Sequence, residues 1–404
     1  MPRPFREMLS RKLLKEVRAK IFNSGIARTV FVVFLFCYLG SVFWATLGLN
    51  DFHALKSDLT SFLTGASIVK EGLGKDLYDV EVQRIYQDKI NAPYIKSNIL
   101  IYKNPPPLAL FFVPLSFFSI FTAYKIYNLV LILVTLSISW ISTKIFKNLQ
   151  GSFWYMLPFI FYPSFATIFS GQTSIFLLFG FMMIYFYLKK SNDIGTGITT
   201  GFLFLKPQYI ISLPFIFLLT KNKRDFLRGF VLSSLIIFLL SYLIAGNYLG
   251  DYLRILYDTE SIKYGSNEEA MFTLYSSLTQ LTGLSKINLF LVNIPFYLLA
   301  VWFYYNNYRK LNLGVNFLVL VLLTCVFCLH GVNNDLALLL IPLWILIDLY
   351  KSRIKLYPES IFVIFILILS PLVYVLEISY LIPFLFLFSV ALLSWKSGLQ
   401  ITEK

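Results

Sequence analysis

Of the 404 residues, 57% are hydrophobic and 14% are charged, with a mean hydropathy of +0.71; a water-soluble globule carries about a quarter charged residues, so that class is excluded. The formal net charge of +14 does not point to nucleic acid, because the basic residues lie in short clusters at the ends of apolar stretches and not along one groove-shaped face. These values predict an all-α polytopic membrane protein, with the lipid bilayer as its first partner.

Residues 1–28 hold Arg3, Arg6, Arg11, Lys12, Lys15, Arg18, Lys20 and Arg28 against Glu7 and Glu16, which puts the N-terminus in the cytoplasm. The run Thr29–Gly48 follows, 20 residues with neither charge nor proline, enough at about 1.5 Å per residue to cross the hydrocarbon core. It is too long for the apolar part of a cleaved signal and no small-residue cleavage site follows it, so it is expected to stay as an anchor. Ten residues beyond it stands Asp58, within Lys56-Ser57-Asp58-Leu59-Thr60-Ser61, a carboxylate held just outside the membrane. Ser57 or Asp58 also reads as the N-cap of a helix over Leu59–Val69.

The outer loop 50–125 is expected to carry juxtamembrane helices. Its apolar stretch Pro105–Ala123 reads as a juxtamembrane or re-entrant helix started by its prolines, because counting it as a crossing would put every later basic cluster outside. Eleven further crossings then run from Ile126–Thr143 to Leu381–Trp395, about twelve in all. The clusters Lys144/Lys147, Lys189/Lys190, Lys221/Lys223/Arg224/Arg228, Arg309/Lys310, Lys351/Arg353/Lys355 and Lys396 all fall inside, as the distribution of basic residues in membrane proteins requires. Residues 29–396 thus read as a single transmembrane domain, followed by a cytoplasmic tail, 397–404.

That topology sends the remaining polar groups outward. A second outer loop, 247–285, holds Asp251, Asp258, Glu260, Glu268 and Glu269, and the short turns are Ser170-Gly171-Gln172-Thr173, Lys206-Pro207-Gln208 and His330-Gly331-Val332-Asn333-Asn334-Asp335. The apolar stretches flanking Lys206, Ile194–Leu205 and Tyr209–Thr220, are too short to cross a core of roughly 30 Å comfortably. They read as a broken helix whose irregular backbone lines a polar cavity. An ammonium there is a candidate partner for a lipid phosphate; the alternative is a lysine that snorkels to the headgroups. Gln172, Lys103, His330, Asn333, Asn334 and Asp335 share that face as substrate-pocket candidates, although turns hold such residues for local reasons too. Cys37, Cys325 and Cys328 lie in apolar runs and read as buried thiols, not as metal ligands or a disulfide.

These residues carry a resemblance. Asp58 followed by Phe62, Gly65, Ala66 and Gly72, then Asp76-Leu77-Tyr78 and Tyr102-Lys103-Asn104-Pro105-Pro106-Pro107-Leu108, resembles the first-loop pattern of GT-C glycosyltransferases: an acidic residue after the first span, a helix, a G-x-x-L-Y-like turn and a Y-x-x-P-P-L stretch. Gly171-Gln172 and Gly201-Phe202-Leu203-Phe204-Leu205-Lys206-Pro207 resemble the G-Q and G-x-x-x-x-K-P features of glycosyltransferase family 87, the polyprenyl-phosphate-mannose-dependent α-mannosyltransferases. The resemblance runs from about Phe31 to Arg228, with helix count and the His330–Asp335 turn beyond it. The chain departs from the pattern at Leu59, Thr60 and Gly65-Ala66, where the family commonly has aromatic residues and an Ala-Ala pair.

The resemblance implies a GT-C-like helical bundle, a polyprenyl-phosphate donor carrying mannose or another hexose or pentose, a glycan or glycolipid acceptor, and an active site on the outer face of a bacterial cytoplasmic membrane. An acceptor hydroxyl attacking the anomeric carbon must lose one proton, so a single carboxylate suffices for inversion; Asp58 is the candidate base and Lys206 the candidate cation for the departing phosphate. No cofactor is expected. The first loop has no D-x-D for a metal, and no Walker loop or G-x-G-x-x-G marks a nucleotide. A polysaccharide polymerase or ligase usually relies on arginines and a histidine in a large late loop, whereas here the long outer loop comes first and holds the acid. A flippase or transporter of lipid-linked glycans would show charges within spans and an internal repeat, and neither stands out.

Overall fold

The computed structural model describes residues 40, 51–94, 99–149, 153–259, 271–283, 286–351 and 358–395. The basic segment 1–28, the expected anchor Thr29–Gly48 apart from Gly40, Glu260, Glu268, Glu269, Arg353, Lys355, Lys396 and the tail 397–404 lie outside the described residues. The chain divides into two units, Met1–Leu49 and Asn50–Lys404, and the helices from Asp51 onward form the second. Among the described residues the regular elements are all helices, with one isolated antiparallel bridge between Met271 and Val332.

The first of the site-forming helices is α1, Leu59–Lys70, in which every residue from Leu59 to Ile68 is buried. It is therefore part of the core, and its small residues let neighbours close on it. A side chain at Gly65 would press on the Tyr102 ring, at 2.8 Å from Cγ, and Phe62 stacks on Phe112 with centroids 4.7 Å apart. The next helix, α2 (Val80–Asn91), is capped by Asp79, whose carboxylate accepts from the N–H groups of Glu81 and Val82. That is a structural duty for a residue otherwise available to a metal.

Helix α2 fixes the following segment through two glutamine side chains one turn apart. Gln83 accepts from Tyr102 N at 2.7 Å and donates to Tyr102 O at 3.1 Å; Gln87 accepts from Leu100 N and donates to Leu100 O, both at 2.8 Å. Each amide pairs with a backbone residue as a neighbouring strand would. Lys103 stands immediately after this clamp. Pro106–Phe112 then forms a short helix, continued as a tighter turn to Phe117, and the last residues of the apolar stretch Pro105–Ala123, from Ile120 on, belong to the helix that follows.

Among the described residues, two helices are long and apolar enough to cross a membrane: α3, Ile120–Ile145, and Lys223–Ala245. At 26 and 23 residues they span about 39 and 35 Å. Leu129, Leu133, Leu136 and Trp140 form an exposed apolar stripe on α3 at the spacing of one helical face, as lipid contact requires. Shorter apolar helices of 10–17 residues also lie among the described residues from Pro106 onward. One of these, α5 (Ser174–Lys189), and the nine-residue α4 (Tyr162–Ser170) flank the turn at Gly171, where φ of +67° ends α4 in a left-handed cap that glycine adopts without strain.

The segment around Lys206 is a hairpin. Its first leg is α6, Asp193–Gly201, with a tight 3-10 turn to Leu205; Lys206 breaks the helix at φ −129°, ψ 76°, and Pro207 begins the return through Leu219. Both legs start from the same place, because the buried Asp193 carboxylate accepts from the N–H groups of Lys221 and Asn222 at 3.3 and 2.6 Å. The first leg reaches about 20 Å, so Lys206 at the tip stops within the bundle. Beside it runs α7, Lys223–Ala245, in close contact: side chains at Gly197, Gly201 and Gly229 would collide with the Phe226 carbonyl, Ser233 and the Ile194 carbonyl. Small residues at such contacts let backbones approach, the usual means of packing helices in lipid.

The late helices α8 (Leu313–Phe327) and α9 (Leu340–Lys351) bracket the His330–Asp335 turn. Helix α8 is buried throughout from Val315 to Phe327, and Cys325 and Cys328 are free, buried thiols, as read from the sequence; Cys37 lies outside the described residues. The far ends of the helices meet elsewhere: Lys189 donates to Ile145 O at 2.7 Å, and Asp348 accepts from Asn148 N at 3.0 Å.

Candidate functional site

Asp58 occupies the N-cap position of α1, yet its side chain makes no capping hydrogen bond. Its backbone N–H instead donates to Ser170 O at 2.8 Å, and its Oδ2 accepts from Gln172 Nε2 at 2.7 Å. The left-handed turn at Gly171 makes that meeting possible, and there is little room to spare: a side chain at Gly171 would lie 3.1 Å from Leu59 Cβ.

The late turn is stitched to the same five-residue bracket, Ser170–Ser174. Asn334 donates through Nδ2 to Ser170 Oγ at 3.0 Å, and its carbonyl accepts from Thr167 Oγ1 at 3.3 Å. Ser174 Oγ donates to Asp335 Oδ1 at 2.5 Å and accepts from Lys206 Nζ at 3.2 Å. Lys206 and Asp335 form an ion pair of 2.7 Å with side chains 13% and 1% exposed. So one turn holds the carboxylate of Asp58 at its middle and the Lys206–Asp335 pair at its end.

Burial pushes the Asp58 carboxyl above the ordinary aspartate range, against the hydrogen bond from Gln172 and the charges of Lys103, Lys206 and His330. The shift marks a group whose proton is exchanged nearer neutrality than that of a solvated aspartate. Asp335 goes the other way: its burial is outweighed by the Lys206 ammonium and by the hydrogen bonds of Lys206 and Ser174, which hold its carboxyl below the usual range. Burial thus dominates at Asp58, whereas Asp335 is committed to a counter-charge.

Of the residues singled out in the sequence, Asp58, Gln172, Lys206, Asn334 and Asp335 are joined by direct contacts through this bracket, and Lys103 and His330 act on Asp58 through their charge. Asn333 is buried in the late turn with Oδ1 unpartnered, outside this contact chain. Lys206 does not snorkel; its ammonium is turned to Asp335. Two participants were not apparent from sequence. Ser174 reads there as the first residue of an apolar stretch, although a serine opening a helix just after Gly-Gln is a recognisable turn signal. Tyr209, whose ring lies 5.8 Å from the Lys206 ammonium, reads as one aromatic among many.

The family profile described as Glycosyltransferase family 87 matches residues 102–329, more than half of the 404. No curated protein and no solved structure matches the chain. The matched region starts later than the first-loop resemblance and ends well past Arg228, so it contains Lys103, Gln172 and Lys206, while Asp58 and the His330–Asp335 turn flank it. The all-helical architecture, its apolar helices and this match together identify a membrane glycosyltransferase: the chain belongs to glycosyltransferase family 87.

Proposed function

We propose that the protein transfers a sugar, mannose or another hexose or pentose, from a polyprenyl-phosphate donor to a glycan or glycolipid hydroxyl on the outer face of a bacterial cytoplasmic membrane. The reading includes a GT-C-like bundle of about twelve crossings. Asp58 accepts the acceptor's proton as that oxygen attacks the anomeric carbon; the bond from that carbon to the phosphate oxygen breaks, and the polyprenyl phosphate leaves with the electron pair, inverting the centre. Lys206, on the tip of its hairpin, supplies positive charge where the phosphate gains negative charge. The isoprenoid tail is held between helices by apolar burial.

The observation that carries this reading is the diversion of Asp58 from its helix. An aspartate that only capped α1 would accept from the N–H groups of the first turn, whereas this one turns to Gln172, among the charges of Lys103, Lys206 and His330.

The test is purified protein incubated with a panel of polyprenyl-phosphate sugars and acceptors, reading release of lipid phosphate and the anomeric configuration of the product. Asp58→Asn is expected to fold and to lose transfer by at least a factor of about a thousand, in the upper range for removal of a general base. Transfer at the wild-type rate by this variant would remove Asp58 from the reaction.

A further inference from the structure

We propose that Gln172 is the positioning residue of Asp58: its amide engages Oδ2, aims the carboxylate, and leaves Oδ1 as the atom that takes the acceptor's proton. The proposal rests on Asp58 being the base, and it moves Gln172 from a substrate contact to a residue that acts through the carboxylate.

The geometry defines the amide's orientation. Gln172 Oε1 accepts from Thr173 N at 3.4 Å, and Nε2 donates to Asp58 Oδ2 at 2.7 Å; the reversed amide would set an oxygen against a carboxylate and an NH2 against an N–H, repulsive at both ends. The glutamine itself is anchored by its backbone, with its N–H on Thr167 O at 3.0 Å and its carbonyl accepting from the Tyr127 hydroxyl at 3.2 Å. Asp58 is anchored by its N–H on Ser170 O at 2.8 Å. Both residues are therefore fixed before their side chains meet, and the side-chain bond sets the remaining freedom, the rotation of the carboxylate. A hydrogen bond to the charged form also favours that form, so the same amide keeps a buried carboxylate able to ionise. The other charged or titratable groups facing Asp58 are Lys103 after the glutamine clamp, Lys206 at the hairpin tip and His330 of the late turn.

The decisive variant is Gln172→Glu, which keeps size and reach but replaces the donor with a second acid. Two carboxyls sharing one site cannot both ionise cheaply, so the acid limb of the kcat profile is expected to move to higher pH by about one unit or more. Gln172→Ala removes the bond without adding charge. Its kcat is expected to fall on the order of tenfold with donor KM within about twofold, as for an interaction that acts on the transition state and not on donor binding, and its acid limb is expected to move upward by less. The displacement of the acid limb between wild type and the two variants reports Gln172.

An unmoved acid limb in both variants, or a raised donor KM with unchanged kcat, returns Gln172 to a substrate contact and overturns the proposal. Should Gln172→Glu not fold, Gln172→Ala decides by the same criteria. Asp58→Asn is run alongside: if it transfers sugar normally, the reading of Asp58 fails, whereas an inactive Asp58→Asn beside unmoved Gln172 profiles sinks the positioning role alone.

Discussion

In the proposed reaction the Lys206–Asp335 pair asks two things of one ammonium: to neutralise a buried carboxylate, and to meet the donor phosphate. Lys206→Met leaves Asp335 buried without its counter-charge, a change that typically costs about 3–5 kcal/mol. Its unfolding temperature is therefore expected to fall while donor KM rises. The double variant Lys206→Met/Asp335→Asn removes the orphaned charge and is expected to recover most of the unfolding temperature yet keep the raised KM; recovery of both would make Lys206 purely structural. The pair's contribution is independent of pH near neutrality. Asp335's carboxyl is depressed in the folded protein, so its stabilisation is complete above the unfolded value of about 3.9 and is lost only as pH falls through the lower folded value. At this scale, sequence reading found the residues but not their pairings. Asp58 and Gln172 are 114 positions apart and Lys206 and Asp335 are 129 apart, and nothing in a linear pattern says that a serine joins Lys206 to Asp335.

The hairpin around Lys206 was legible at the level of elements because two apolar legs of sub-membrane length met at Lys-Pro, where both charge and proline disfavour a continuing helix. What was not legible is how the legs are held: by Asp193 across their base and by glycines along α7. Gly197→Leu drives a branched side chain into the Phe226 carbonyl, a backbone atom that cannot give way as a side-chain tip can. Overpacking of this kind costs about 1–3 kcal/mol or more, so the variant is expected to unfold at lower temperature and to lose transfer through displacement of Lys206. Gly180→Leu on α5 is the matched control, since open space surrounds that glycine, and its unfolding temperature is expected to be unchanged. Equal effects in the two variants would mean that the contact between α6 and α7 does not hold the hairpin. The Gln83–Gln87 clamp was hidden for a related reason: on a polar helix, two glutamines one turn apart look solvated, and only the fold brings a backbone segment to them.

Across the whole second unit the polar groups separate by direction. Helix α3 runs from Tyr124, whose hydroxyl donates to Phe169 O beside the Asp58 bracket, to Ile145, whose carbonyl accepts from Lys189. Helix α5 runs the same way, from Ser174 in the bracket to Lys189, about 24 Å over its 16 residues. Helix α7 starts at Lys223 and ends against the first loop, where a side chain at Gly74 would strike the Ile244 carbonyl. The lysines Lys144, Lys147, Lys189 and Lys223 thus gather at helix ends opposite the site. Basic residues stay on the cytoplasmic side during insertion, so the opposite end, with Asp58, is expected to face outward. With Cys37, Cys325 and Cys328 replaced by serine or alanine, a cysteine at the exposed position Lys147 should react with an impermeant thiol reagent only when the cytoplasmic side is open. A cysteine at the exposed position Lys89, on α2 beside the clamp, should react from outside in intact cells. Labelling of both from the cytoplasmic side only, or in the reverse order, would put Asp58 in the compartment where nucleotide sugars are the available donors, and the polyprenyl-phosphate reading would have to be abandoned even if Asp58 proved to be the base.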